Sequence, residues 1–163
     1  MLIADSSSLI LLAKIGIIDI AIAKIRKKLA IPEQVYAECT AKKELFDAQI
    51  IEERTKHGSI ERKSILNAGL CERILKDFNL GKGEAEAITL CMESKAGLMT
   101  DDKKAINACK VLKIRFVTVP RLVAEFYKKE YITKNQIEPI IDKLQNIGRY
   151  SNEIIQRMKE DLK

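Results

Sequence analysis

The sequence predicts an α/β layered fold built on a short parallel sheet, and three observations carry that expectation. Short apolar runs alternate with stretches of helical periodicity along most of the chain. Two of the runs, Met1-Leu2-Ile3-Ala4 and Ala96-Gly97-Leu98-Met99-Thr100, close on acids, Asp5 and the pair Asp101-Asp102. Strands separated by helical segments require crossover connections, which bring such strand ends to one rim of a parallel sheet.

In chain order, Leu2 to Ala4 reads as the first strand. Ser6, Ser7 and Ser8 offer a cap for a helix carrying Leu9, Ile10, Leu12 and Ala13, which Gly16 ends. A second helix is expected from about Ile17 to Lys28, its basic end opposing the helix dipole. Leu29-Ala30-Ile31 follows as a strand, and Pro32 opens a helix with Val35, Cys39 and Phe46 on one side. Asp47 to Lys56 reads as helix, broken at His57-Gly58, and Ser59 to Leu66 fits either strand or exposed helix. Helical spacing returns at Cys71, Ile74, Leu75 and Phe78, and again from Glu84 to Lys95. Gly97 to Thr100 is a strand, Lys103 to Leu112 a helix, and Arg115 to Val119 a strand ending at Pro120. Helices over Arg121 to Glu130, Ile132 to Asn146 with a kink at Pro139, and Ser151 to Leu162 complete the chain.

With 163 residues, 47% of them hydrophobic, the chain has material for one ordinary core rather than two. A single domain over residues 1–163 is expected, its core over about 1–130 and a helical extension over about 131–163. No apolar run reaches the roughly 20 residues of a bilayer span, and no signal peptide is recognisable. The four cysteines, Cys39, Cys71, Cys91 and Cys109, form no C-x-x-C pair and suit reduced core thiols. A cytoplasmic protein without membrane association is therefore expected. The lone His57 lies in a polar break and belongs to no recognisable nucleophile-base set.

Acids at the strand ends converge on the crevice where open α/β sheets bind ligands, and like charges gather there when a cation sits between them. Mg²⁺ or Mn²⁺ is the natural occupant, because a hard divalent ion takes oxygen ligands and keeps water positions. Two more acids lie on apolar helical lines. Glu38 shares a side with Val35 and Leu45, and Glu84 with Ile88 and Cys91, whereas Glu86 shares its side with Thr89 and Glu93 and reads as solvated. Surface snorkelling accounts for Glu38, and stabilisation of a helix N-terminus for Glu84, as alternatives. Ser6, Ser7 and Thr100 flank the strand-end acids, where a hydroxyl would support a carboxylate or a metal-bound water. Gly81 and Gly83 lack the remainder of a phosphate-binding loop and read as a helix stop and tight turn.

The net charge of +6 is concentrated. Between Lys103 and Lys129, eight basic residues, including Lys103, Lys104 and Lys110, face one acid, Glu125. Positive charge beside an acidic cluster suits a nucleic acid brought to a metal, and a solvated helix face explains the same charges.

The segments I-A-D-S-S-S-L-I-L-L-A-K-I-G, I-P-E-Q-V-Y-A-E, L-G-K-G-E-A-E-A-I and G-L-M-T-D-D, in this order, resemble the PIN-domain nucleases, a family that includes the toxins of VapBC toxin–antitoxin pairs. The resemblance runs from about Leu2 to Val119, and the helical tail is similar to that of an uncharacterised prokaryotic branch of PIN-like proteins. It implies a three-layer α/β sandwich around a short parallel sheet and Mg²⁺- or Mn²⁺-dependent hydrolysis of RNA. The family's four acidic positions fall on Asp5, Glu38, Glu84 and the Asp101-Asp102 step; Asp5, Glu84, Asp101 and Asp102 are the implied metal ligands, with Asp102 favoured over Asp101. Glu84 departs from the more frequent Asp. A cognate antitoxin and a homodimer are further implications. The main alternative is a PIN-like module that binds nucleic acid without cutting. A haloacid-dehalogenase-type phosphatase ranks lower, because Ser7 stands where that family places a second Asp.

Overall fold

The computed structural model describes residues 1–148 and 150–162. Five strands, β1 (Leu2–Ala4), β2 (Leu29–Pro32), β3 (Ile60–Lys63), β4 (Gly97–Met99) and β5 (Phe116–Val117), form one sheet in the order β3-β2-β1-β4-β5, every neighbour parallel. The helices between them are α1 (Ser6–Lys14), α2 (Ile18–Lys24), α3 (Glu33–Cys39), α4 (Phe46–Lys56), α5 (Ala68–Asp77), α6 (Lys82–Ser94) and α7 (Lys103–Val111). After β5 come α8 (Val119–Lys128), α9 (Lys134–Asn146) and α10 (Asn152–Asp161).

Successive side chains of a strand point to opposite faces, and here both faces are covered. Ile3, Ala30 and Leu98 pack beneath α5, α6 and α7, with Ile74, Ile88 and Ala105. Ala4, Leu29, Ile31 and Met99 face the other way, into a larger cluster with Leu12, Ile18, Val35, Ile51 and Val123. The result is the three-layer sandwich expected from the sequence. Ile137, Ile141, Leu144, Ile155 and Met158 of the last two helices belong to that larger cluster. Most apolar residues of the late helices are thus covered within the chain, leaving Ile147 and Ile154 as their exposed large hydrophobics. No single helix among the described residues is long and apolar enough to cross a membrane; α1 and α2 pass such a test only as a pair bent by 111°.

Several boundaries differ from expectation for identifiable reasons. The N-cap of α1 is Asp5, not the serine run, since its carboxylate accepts from the Ser8 N–H. The helix after Pro32 ends at Cys39, so Phe46 opens α4 and is 69% exposed instead of sharing a face with Val35. Helix α2 stops at Lys24. The segment 60–63 is a strand, its partner β2 deciding what periodicity left open. Gly81 is the N-cap of α6 and Gly83 lies in its first turn, so neither ends a helix. Pro120 sits in the first turn of α8, where its missing N–H costs nothing, and β5 ends at Val117. Helix α9 runs unbroken through Pro139.

Candidate active site

In the strand order β3-β2-β1-β4-β5, the chain leaves β1 toward one edge of the sheet and leaves β4 toward the other. That divergence opens a crevice at the carboxyl ends of β1 and β4, the usual ligand position in open α/β sheets. Ala4 pairs with Met99, and the Asp5 N–H donates to the Met99 carbonyl at 3.1 Å. Asp5 and the Thr100-Asp101-Asp102 step therefore emerge side by side.

Asp5 is 1% exposed. Its Oδ1 accepts from the Ser8 N–H at 2.9 Å and from the Ser7 hydroxyl at 3.2 Å, while its Oδ2 is buried with no hydrogen-bond partner. Burial raises its pKa above the ordinary carboxylate value, and donors on Thr100, Ser8 and Ser7 pull the other way. A buried carboxylate oxygen without a partner is costly, and in a native fold it calls for an explanation.

Glu38 comes to the same place from α3, although α3 ends one residue later and Leu45 lies outside it. Its Oε2 accepts from the Ser6 hydroxyl at 2.6 Å and its Oε1 from Gln34 Nε2 at 3.2 Å. The first turn of α6 lies directly against it: a Cβ at Gly83 would stand 2.5 Å from Glu38 Oε2 and 2.8 Å from Oε1. Glu84 follows, half-buried, with its pKa raised first by burial and then by the negative charges of Asp5, Glu38 and Asp102. One side chain thus feels three acids from three other elements. Cys39 reports the same gathering, its thiol pushed up to about 12 first by burial and then by Glu38, Asp5 and Asp47.

The two acids after β4 divide their work. Asp102 caps α7, its Oδ1 accepting from the Ala105 N–H at 2.8 Å, and its own N–H donates to Thr100 Oγ1 at 3.2 Å. Asp101 turns toward α8: its Oδ1 and Oδ2 lie 3.2 and 3.3 Å from the Val119 N–H, and Oδ2 also accepts from the Ser8 hydroxyl at 3.3 Å. Burial leads the causes that raise Asp101 to about 6, with the Asp5 charge adding to it. The Tyr150 hydroxyl, buried without a hydrogen-bond partner, is pushed up by its own burial and by Asp101. Asp102 is among the charges that act on Glu84.

Ser6 bonds Glu38 of α3, Ser7 bonds Asp5, and Thr100 lies under Asp102. The three lysines separate. Lys103 is exposed directly after Asp102, Lys104 donates to the Asn79 carbonyl at 3.1 Å, and Lys110 lies in the last turn of α7. At ~1.5 Å rise per residue, Lys110 is about 12 Å along the axis from the site end of that helix, so the structure does not bring it to the acids. Glu86, read as solvated, accepts from the Gln34 N–H at 3.0 Å and so braces the start of α3.

The sequence alone assigns no role in the site to Ser8, Gln34, Asp47, Gly83 or Tyr150. Asp47 was read only as a helix start, yet it is 7% exposed. A glycine two residues after another, at a helix start, was the available signal for Gly83. Gln34 precedes Glu38 by one helical turn, a spacing at which side chains meet.

The donor set is carboxylate oxygen throughout, which suits a hard divalent cation, and Asp5 Oδ2 is buried without a well-formed hydrogen bond. Among the described residues no group of three His, Cys, Asp or Glu side chains stands ready-made to hold a metal. The arrangement fits an ion such as Mg²⁺ that is held by one or two carboxylates and keeps several waters, and not an all-protein cage.

A five-stranded parallel sheet with acids at its switch point places this chain among the α/β proteins that gather acidic side chains at the carboxyl ends of their strands. The particular family follows from the chain as a whole: a family model described as a PIN domain matches residues 1–163, and the protein belongs to that family. PIN domains are typically nucleases and generally use divalent metals. The crystal structure of PAE2754 from Pyrobaculum aerophilum superposes with a TM-score of 0.55 at 22% identity, covering 74% of this chain and 85% of that one, a likeness of fold. No curated protein matches the chain.

Proposed function

We propose that this protein is a metal-dependent ribonuclease of PIN type that hydrolyses RNA phosphodiester bonds using Mg²⁺ or Mn²⁺. The observation that carries the reading is the buried, unpartnered Oδ2 of Asp5 at the sheet's switch point, with Glu84 under the charge of Asp5, Glu38 and Asp102. Asp5 is the residue that would hold the ion, with Asp102 and Glu84 completing or orienting its shell and Asp101 supporting from the α8 side. When bound, such an ion supplies Lewis acidity at the phosphate and lowers the pKa of a coordinated water.

The remaining work falls to side chains. Glu38, oriented by Ser6 and Gln34, takes the proton of the attacking water. Asp5 is fixed by two donors on its Oδ1, which leaves Oδ2 aimed and free. Thr100, fully buried, holds the backbone of Asp102 and thereby the orientation of that carboxylate. Ser7, exposed at the rim, bonds Asp5 and shares the task of keeping its rotamer.

Incubation with single-stranded and structured RNA in Mn²⁺ is the test. Cleavage is expected, abolished by chelator and by Asp5→Asn; a preparation of Asp5→Asn as active as the parent would overturn the reading. A second reading, a PIN-like module that binds nucleic acid without cutting, is favoured by the lack of a ready-made three-acid cage among the described residues. Binding without cleavage under the same conditions would establish it. A toxin role predicts growth arrest on induced expression, relieved by Asp5→Asn and by a cognate antitoxin. A homodimer would appear as twice the chain mass in light scattering.

A further inference from the structure

Beside the acid crevice, a groove of about 1140 Å³ starts at Asp101 and Lys103 and runs between α8 and α10. Its wall is apolar at Ile106, Pro120, Ile154 and Met158. Lys103, Arg121, Lys128 and Arg157 stand along it, all exposed, and among the described residues none of the four makes an ion pair. The acids that share the groove are largely engaged: Glu125 pairs with Lys129, and Asp101 is turned to the Val119 N–H and Ser8. Asp161 alone is left.

We propose that this groove is the track for a single-stranded nucleic acid on one side of the scissile phosphate, with backbone phosphates on Lys103, Arg121, Lys128 and Arg157 and bases against the apolar wall. The inference rests on the nuclease reading for where the strand is going, since the groove opens beside Asp102 through Lys103. The chemistry of the groove itself is what selects the occupant. A row of unpaired cations over an apolar surface is how proteins hold single strands without reading sequence, phosphates satisfying the charge and base faces covering the apolar area. A small ligand would leave most of an open groove of this length unfilled. Arg157 is supplied by α10, so the last helix contributes to substrate binding as well as to the core. Neither the acids nor the Lys103–Lys129 charge run alone pointed to a residue so late in the chain.

The test uses the full-length protein in EDTA, so that RNA stays intact whether or not the enzyme cuts. A fluorescein-labelled single-stranded RNA is titrated by anisotropy over a salt series, with the triple variant Arg121→Ala, Lys128→Ala, Arg157→Ala. Each lost phosphate contact on a single strand removes about 0.7 from the slope of log affinity against log salt. The triple variant should therefore flatten the slope by about 2 and bind about 100-fold more weakly near 0.1 M salt. The control, Lys27→Ala, Lys28→Ala, Lys110→Ala, removes the same charge away from the groove and should bind close to the parent. Equal losses in both triples, or parental affinity and slope in the groove triple, would overturn the proposal, as would an acidic peptide binding in the groove more tightly than RNA. Melting curves confirm that each variant is folded. Failure of the nuclease reading would show separately, as no cleavage in Mn²⁺ by a protein whose groove still binds RNA.

Discussion

At the scale of single residues, the site is defined by charges held where charge is unwelcome. Burial pushes Asp101 from an ordinary value of 3.8 up to about 6, and it raises Asp5 and Glu84 as well. Between those two values the folded chain binds more protons than the unfolded one, so these groups make stability fall as pH rises through the window. In EDTA, the melting temperature should therefore rise as the buffer is taken from about pH 7 to about pH 5. Mn²⁺ at about pH 7 should raise it too, by binding only the folded state, and scanning fluorimetry reads both effects. Glu38→Gln should cost about 10²- to 10⁴-fold in cleavage rate, the usual worth of a positioned proton acceptor, with little change in melting temperature. The strand-end acids were legible in the sequence because a strand must end somewhere on the rim, and Asp5 and the Asp101-Asp102 pair close short apolar runs. Glu38 was found on an apolar line that partly does not exist: Val35 shares its helix, but Leu45 does not. The contact of Gly83 with Glu38 and the place of Tyr150 were not legible, because they depend on how closely distant segments approach.

At the scale of elements, the helix starts at the rim are where structure and chemistry share atoms. Asp102 caps α7 through Ala105, so Asp102→Ala should lose about 1 kcal/mol of stability along with activity. Asp102→Asn keeps an excellent cap and should lose activity alone; paired denaturant melts and Mn²⁺ cleavage assays separate the two contributions. Helix α6 offers the complementary case. Alanine at position 83 improves helix propensity by up to about 1 kcal/mol but puts a methyl group 2.5 Å from Glu38 Oε2, which must then move. Gly83→Ala is expected to melt at or above the parent temperature and to cleave more slowly. Helix existence was mostly legible from periodicity. Caps and junctions were not, since Ser6 to Ser8 and Asp5 compete for one cap and only the folded geometry decides.

At the scale of the whole molecule, the two core clusters on opposite faces of the sheet follow from the alternation within β1, β2 and β4. Three-residue strands such as β1 and β4 are nevertheless short enough that their pairing order was not readable; it emerges from which helices cover which face. The late helices were expected as an extension, and their apolar residues are part of the larger cluster. Deleting residues 151–163 uncovers the pocket filled by Ile155 and Met158, which are 4% and 3% exposed. At about 1.5 to 3 kcal/mol per buried side chain, the truncated chain should lose roughly 3 to 6 kcal/mol. Urea unfolding of the shortened protein checks this, and a midpoint equal to that of the full chain would contradict it.

On the proposed function Asp5 and Asp102 serve the site while also capping helices, which bears on how sequences of this kind are interpreted. Folding alone is reason for a relative that has lost all hydrolytic ability to retain Asp, or to drift no further than Asn or Ser, at both places. Their presence is weak testimony of living chemistry. Glu38 is held only by the side chains of Ser6 and Gln34 and starts no helix, so abandonment of catalysis would be written there first.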